Sequence, residues 1–171
     1  MFCSVKAKYR VILPGTRPNL AKYLDLPMFF LLGSGEWKRR MVELIVEKVD
    51  CLIVNLGDYP EARHHRVGGV GNSFPDQRAW EEYFQWRAAR LWPTGCVIGW
   101  RDSDNEDETR EIATWRTHKV NDSKVRFVVG IDPNFPRLVE GTRNNFRIAL
   151  GNSFKICNTM EKLAIQAVRY A

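Results

Sequence analysis

Long apolar runs are missing from this chain of 171 residues. No window approaches the ~18 consecutive apolar residues that a helix needs to cross a bilayer, so no membrane partner is expected. The opening, Met1 to Arg10, also lacks the apolar core of ~7 or more residues that marks a secretory signal, and a cytoplasmic location is expected. Cysteine is scarce: Cys3, Cys51, Cys96 and Cys157 lie far apart, in or beside apolar segments, without a C-x-x-C pair. That spacing excludes a zinc ribbon and reads as buried free thiols. Of three histidines, His64 and His65 are adjacent in a polar stretch near Asp58 and Glu61, a solvated loop rather than a ligand set. No metal and no cofactor is expected. There is neither a P-loop nor a G-x-G-x-x-G, no internal repeat and no low-complexity segment.

What is present suits one compact domain, with 44% apolar and 27% charged residues. Lys and Arg number 26 against 20 Asp and Glu, a net charge of +6. Such a surplus admits nucleotides and other polyanions as partners, but charges of both signs are interleaved and no basic block forms a nucleic-acid tail. Nucleic acid is therefore an unfavoured partner that the charge does not exclude. Residues 1–27 read as an N-terminal extension carrying a candidate edge strand at Tyr9 to Leu13, and residues 28–171 as the domain proper.

Short apolar runs alternate with amphipathic stretches along the domain, the pattern of an α/β fold with a mostly parallel sheet and helices on both faces. Met28 to Leu32 reads as a strand ending in Gly33-Ser34-Gly35. Trp37, Met41, Leu44, Ile45 and Lys48 then recur at helical spacing, with Ser34 as expected N-cap. Cys51 to Val54 reads as a second strand, followed by about twenty residues of loop, where about five is typical. A helix is expected from near Ser73, with Pro75 and Asp76 in its capping pattern and Trp80, Phe84, Ala88 and Leu91 as its buried stripe. Cys96 to Trp100 is the next strand. Asn105 with Glu108 then caps a helix to about His118. Lys124 to Ile131 reads as a strand, Phe146 to Leu150 as a short helical element and Phe154 to Cys157 as a last strand. Asn158 with Glu161 forms a capping box for the final helix.

Ligands of open parallel sheets sit outside the carboxyl ends of the strands, so the turns after Leu32, Val54, Trp100 and Ile131 should line one site. Gly33-Ser34-Gly35 can cradle an anion with backbone N–H groups or simply let a strand turn into a helix. Glu111, early in the helix after the third turn, is expected to stay ionised. A carboxylate there can attack a sugar anomeric carbon, although acidic residues also collect in first turns for electrostatic reasons alone. Trp37, Trp80 and Trp115 fall on buried helix faces, whereas Trp86 and Trp100 are nearer the expected crevice. Arg143 and Arg147 read as a solvated helix face.

Phe29-Phe30-Leu31-Leu32-Gly33-Ser34 with Trp37 resembles the Phe-Leu-Ala-Gly-Ser opening of the nucleoside 2-deoxyribosyltransferase-like superfamily. Further motifs follow in order over roughly residues 28 to 168. Val54-Asn55 is similar to the family's Val-x-Asn-Pro strand end, and Trp86 through Trp100 to its helix and apolar strand. Thr109-Arg110-Glu111-Ile112 resembles its Glu-Leu-Gly helix start. Lys124 through Arg137 looks like its Val-Val-Gly strand and aromatic-Arg turn, with Asn144 or Asn145 at the following asparagine.

The resemblance implies a flavodoxin-like or Rossmann-like fold and cleavage or transfer at the N-glycosidic bond of a deoxynucleoside or its monophosphate. Glu111 would be the nucleophile, Gly33 and Ser34 would hold the sugar or phosphate, and Asn55 and Asp58 would face the base. It also implies a homo-oligomer in which Asn144 or Asn145 acts across an interface. The family's Trp-Glu pair on the second helix falls on Trp86-Arg87 in an ungapped reading, with Trp80-Glu81 as an alternative one and a half turns earlier. Arg87 could instead pair with a phosphate. Asn55-Leu56-Gly57 and Glu111-Ile112-Ala113 also depart from the family patterns, which leaves open a second reading. That reading is a catalytically inactive module of the same fold that binds a nucleotide or an NAD derivative.

Overall fold

The computed structural model describes residues 8–171 apart from Asp58 and Asn72. Strands β1 (Tyr9–Ile12), β2 (Met28–Leu31), β3 (Cys51–Val54), β4 (Gly95–Arg101), β5 (Phe127–Ile131) and β6 (Ile156–Cys157) form one sheet in the order β1-β3-β2-β4-β5-β6. Every pairing is parallel. Parallel neighbours need crossovers, and helices α1 (Trp37–Val46), α2 (Gln77–Trp86), α3 (Glu106–Asn121), α4 (Pro136–Leu150) and α5 (Met160–Val168) supply most of them. Apart from edge strand β1, this is the doubly wound flavodoxin-like order.

The strands read as continuous apolar runs because both of their faces are covered. On one face Phe29, Leu31, Ile53 and Ile98 pack with Met41 and Ile45 of α1 and with Leu163, Ala164 and Ala167 of α5. On the other, Met28, Phe30, Val54 and Phe127 pack with Trp80 and Phe84 of α2, Ile112 and Trp115 of α3, and Phe146 of α4. Cys51, Cys96 and Cys157 are buried free thiols; Cys3 lies outside the described residues. Among the described residues no helix is long and apolar enough to cross a membrane.

Several boundaries differ from the sequence expectation. The cap of α2 is Asp76 itself, accepting from the Ala79 N–H at 2.8 Å, and α5 is capped by Thr159 rather than by Asn158. In both places a neighbouring polar residue competes for the same few N–H groups, and the backbone path selects one. Phe146 to Leu150 is the end of a fifteen-residue helix that starts at Pro136, where a missing N–H costs nothing. Asn105 caps α3 as expected, accepting from Asp107 and Glu108.

Residues Arg87–Leu91 continue α2 as a π-helical turn, with the Trp92 N–H reaching back to the Arg87 carbonyl at 2.7 Å. The wider winding rotates the following side chains. Ala88 and Ala89 are both buried, whereas Leu91, expected in the buried stripe, is 71% exposed. The long connection after β3 is held along the edge of the sheet. It contains a 3-10 turn, Pro60–His65, bridges from Arg66 to Val11 and from Val70 to Arg17, and the His65 ring stacked 4.3 Å from Tyr9.

Candidate functional site

The chain leaves β2 through two glycines with positive φ, Gly33 at +66° and Gly35 at +121°. These left-handed steps turn the backbone from the sheet into α1 without the Cβ clash that other residues would suffer. Ser34 is exposed, and its carbonyl accepts the Trp37 indole N–H at 3.2 Å. It is not the N-cap expected from sequence. The helix opens at Trp37, with Glu36 at the cap position and no side-chain cap bond, because the glycine turn delays the first helical residue.

The turn after β3 is fastened to the turn after β2. Asn55 adopts a left-handed φ of 63°, and its buried amide donates to the Leu31 carbonyl at 2.8 Å and the Gly33 carbonyl at 3.4 Å. The amide is thus committed inward, between the two strand ends. Lys38, in the first turn of α1 and only 2% exposed, donates through Nζ to the carbonyl of Gly33 and to that of Asn55 at 2.7 Å. A cation at a helix N-terminus opposes the helix dipole, so it needs compensation from elsewhere. Carbonyls give part of it, and the carboxylates of Glu111 and Glu81 give the rest. Burial still prevails and lowers the Lys38 pKa to about 8.

Glu111 projects from the second turn of α3 toward Gly33. A β-carbon on Gly33 would lie 3.5 Å from Glu111 Oε2, and that oxygen is buried without a hydrogen-bond partner. Burial pushes the carboxyl pKa upward, Glu81 adds to the rise, and Lys38 and the Gly33 backbone N–H pull against it. Desolvation, rather than the helix N-terminus, sets the direction of this shift: the dipole acts over the first turn only, and Glu111 lies one turn further in. Glu81 comes from α2, where it accepts from Gln77 Nε2 at 3.2 Å. The charge of Glu81, from this third helix, acts on both Lys38 and Glu111, and those two meet at the Gly33 turn, at the carboxyl ends of β2 and β4. This is where the crossovers diverge to opposite faces of the sheet, the switch point of a doubly wound fold.

The remaining residues singled out in the sequence lie elsewhere. Arg87 stacks its guanidinium 4.3 Å from the Tyr83 ring centroid and donates to the Tyr83 hydroxyl. Of the two Trp-Glu alignments, the one through Trp80-Glu81 supplies a carboxylate whose charge acts on Lys38 and Glu111. Trp100 is 6% exposed and lies flat against Gly130, where a β-carbon would come within 2.7 Å of its ring. It fills the core rather than a ligand platform. Trp86 packs on Trp115 and His118. Asn144 and Asn145 are exposed on α4. Asn144 borders a separate cleft of about 440 Å³ with Ile131, Arg143 and Asn158. Asp58 lies outside the described residues.

Lys38 escaped the sequence reading, although a lysine in the first turn of a helix, against the dipole, is a signal that something nearby compensates it. Arg101 escaped it too: at the end of β4 it donates to Thr142 at 2.6 Å and Thr109 at 2.8 Å, tying α3 and α4 to the sheet. No family model, curated protein or solved structure matches this chain.

Proposed function

We propose that the chain cleaves or transfers at the N-glycosidic bond of a deoxynucleoside or deoxynucleotide, with Glu111 as carboxylate nucleophile, as in the nucleoside 2-deoxyribosyltransferase-like superfamily. The observation that carries this is the Glu111 carboxylate itself: half-buried, with Oε2 free of hydrogen bonds, against a glycine turn at the switch point of the sheet. An oxygen without a partner keeps its lone pairs for an electrophile, and a carboxylate of raised pKa is the more basic nucleophile once ionised.

In this reading a Glu111 oxygen bonds to the anomeric carbon as the C1′–N bond breaks, and the departing nitrogen takes a proton from solvent. Water or a second base then attacks the same carbon, loses a proton to solvent, and releases Glu111 as the carboxylate. Lys38 supplies the positive charge that favours ionised Glu111 in a desolvated setting.

The test incubates the protein with the four deoxynucleosides, their monophosphates and NAD, with and without a free base, and separates the products by chromatography. Base release or exchange is expected with at least one substrate, together with its loss in Glu111→Gln. No product across the whole panel, with thermal stabilisation by the same compounds, would replace catalysis by binding without turnover.

A further inference from the structure

On the side of α2 away from Glu81, a groove of about 280 Å³ runs between that helix and residues 17–24, which return from β1 toward the start of β2. Arg17 and Arg87 both face it, and both lie over one ring: their guanidinium carbons stand 5.3 and 4.3 Å from the centroid of Tyr83. Neither has an ion pair among the described residues. The Arg87 Nε is buried without any hydrogen-bond partner. Leu20, Leu24 and Trp92 form the apolar part of the lining, Asn19 adds an amide, and no carboxylate contributes.

Two guanidinium groups converging on one aromatic ring repel each other, and burial of an unsatisfied N–H on one of them adds to the cost. Other arginines of the chain are met by acids, as in the pairs Arg39–Glu61, Arg78–Glu82 and Arg90–Asp122, or by several hydroxyl or carbonyl acceptors, as are Arg101 and Arg126. Here no compensating anion is found among the described residues. We propose that this groove binds a small molecule carrying an oxyanion on a flat apolar body, the oxyanion between Arg17 and Arg87 and the body against Leu20 and Trp92. Planar, bidentate guanidinium groups are suited to phosphate and carboxylate alike. The site is separate from the Gly33 crevice, since Tyr83 follows Glu81 by two positions and so faces away from it on the helix. It stands whether or not Glu111 is catalytic.

Isothermal titration with phenyl phosphate, benzoate, inorganic phosphate and phenol tests it. Phenyl phosphate or benzoate should bind more tightly than inorganic phosphate, and phenol should not bind. Tighter binding of phenyl phosphate assigns a phosphate, the reverse a carboxylate, and either supports the site. Arg17→Gln and Arg87→Gln should each weaken binding about tenfold or more, whereas Glu111→Gln should leave it unchanged. Leu24→Glu, at a position 53% exposed and so tolerant of substitution, should weaken it as well, which keeps the test open if an arginine variant fails to fold. Binding that survives these substitutions, binding lost in Glu111→Gln, or phenol binding as tightly as the anions would overturn the proposal.

Discussion

Gly33 and Glu111 meet across the switch point of the sheet, so closely that a β-carbon on Gly33 would stand 3.5 Å from Glu111 Oε2. The two residues are far apart in sequence and arrive on different elements. Their meeting depends on parallel pairing of β2 with β4, which sets the Gly33 turn beside the start of α3. Gly33 contributes the absence of a side chain, and Glu111 a carboxylate directed into the space so left.

The Lys38 ammonium should make stability depend on alkaline pH. The unfolded chain keeps this proton up to about 10.5, while the folded protein releases it near 8. Between those values the unfolded state holds more protons, so stability rises with pH, by at most about 3 kcal/mol from this group. Lys38→Met should flatten that rise. Urea unfolding of both proteins from pH 7 to 10.5 checks it, and equal slopes would disprove the assignment.

The same lysine should govern the acid limb of the proposed reaction. Glu111 must be ionised to attack, so the rate falls as pH drops through its raised pKa. Removing the Lys38 charge removes one of the two influences that hold that pKa down. In Lys38→Met the acid limb of the kcat/KM profile is therefore expected at higher pH than in the parent protein.

Asn55 combines a left-handed backbone with two inward hydrogen bonds. Asn55→Gly retains the backbone freedom and loses the bonds, whereas Asn55→Ala loses both. We expect alanine to be the more destabilising by about 1 kcal/mol, and both variants to fall below the parent in chemical unfolding.

Gly130→Ala would set a methyl group about 2.7 Å from the Trp100 ring and 3.2 Å from the Cys157 carbonyl. The ring is buried and cannot swing aside freely, so a loss of about 1–3 kcal/mol is expected, measured as a lower thermal midpoint. No loss would mean that the Trp100 side chain can move.

The cap found at Asp76 and the cap expected at Ser34 separate in the same assay. Asp76→Ala removes a cap bond that exists and should cost about 1 kcal/mol. Ser34→Ala removes a hydroxyl that caps nothing and should stay within about 0.5 kcal/mol.

The sequence by itself determined the alternation of strands and helices, because a fully buried strand has to be apolar along its whole length and a helix on its surface only every third or fourth position. Met28, Cys51 and the strand ending at Ile131 were legible for that reason, as was the cap at Asn105. It also nominated Glu111 and the glycine turn at Gly33. Only the tertiary structure decided that the charge of Glu81 acts on Glu111, that Trp100 is spent on packing against Gly130, and that Lys38 ties two strand ends together. Those outcomes rest on which faces of separate helices converge. A local pattern fixes the face that is buried, but the electrostatic neighbours of a side chain depend on strand order and crossover path, which bring distant residues within a few ångströms.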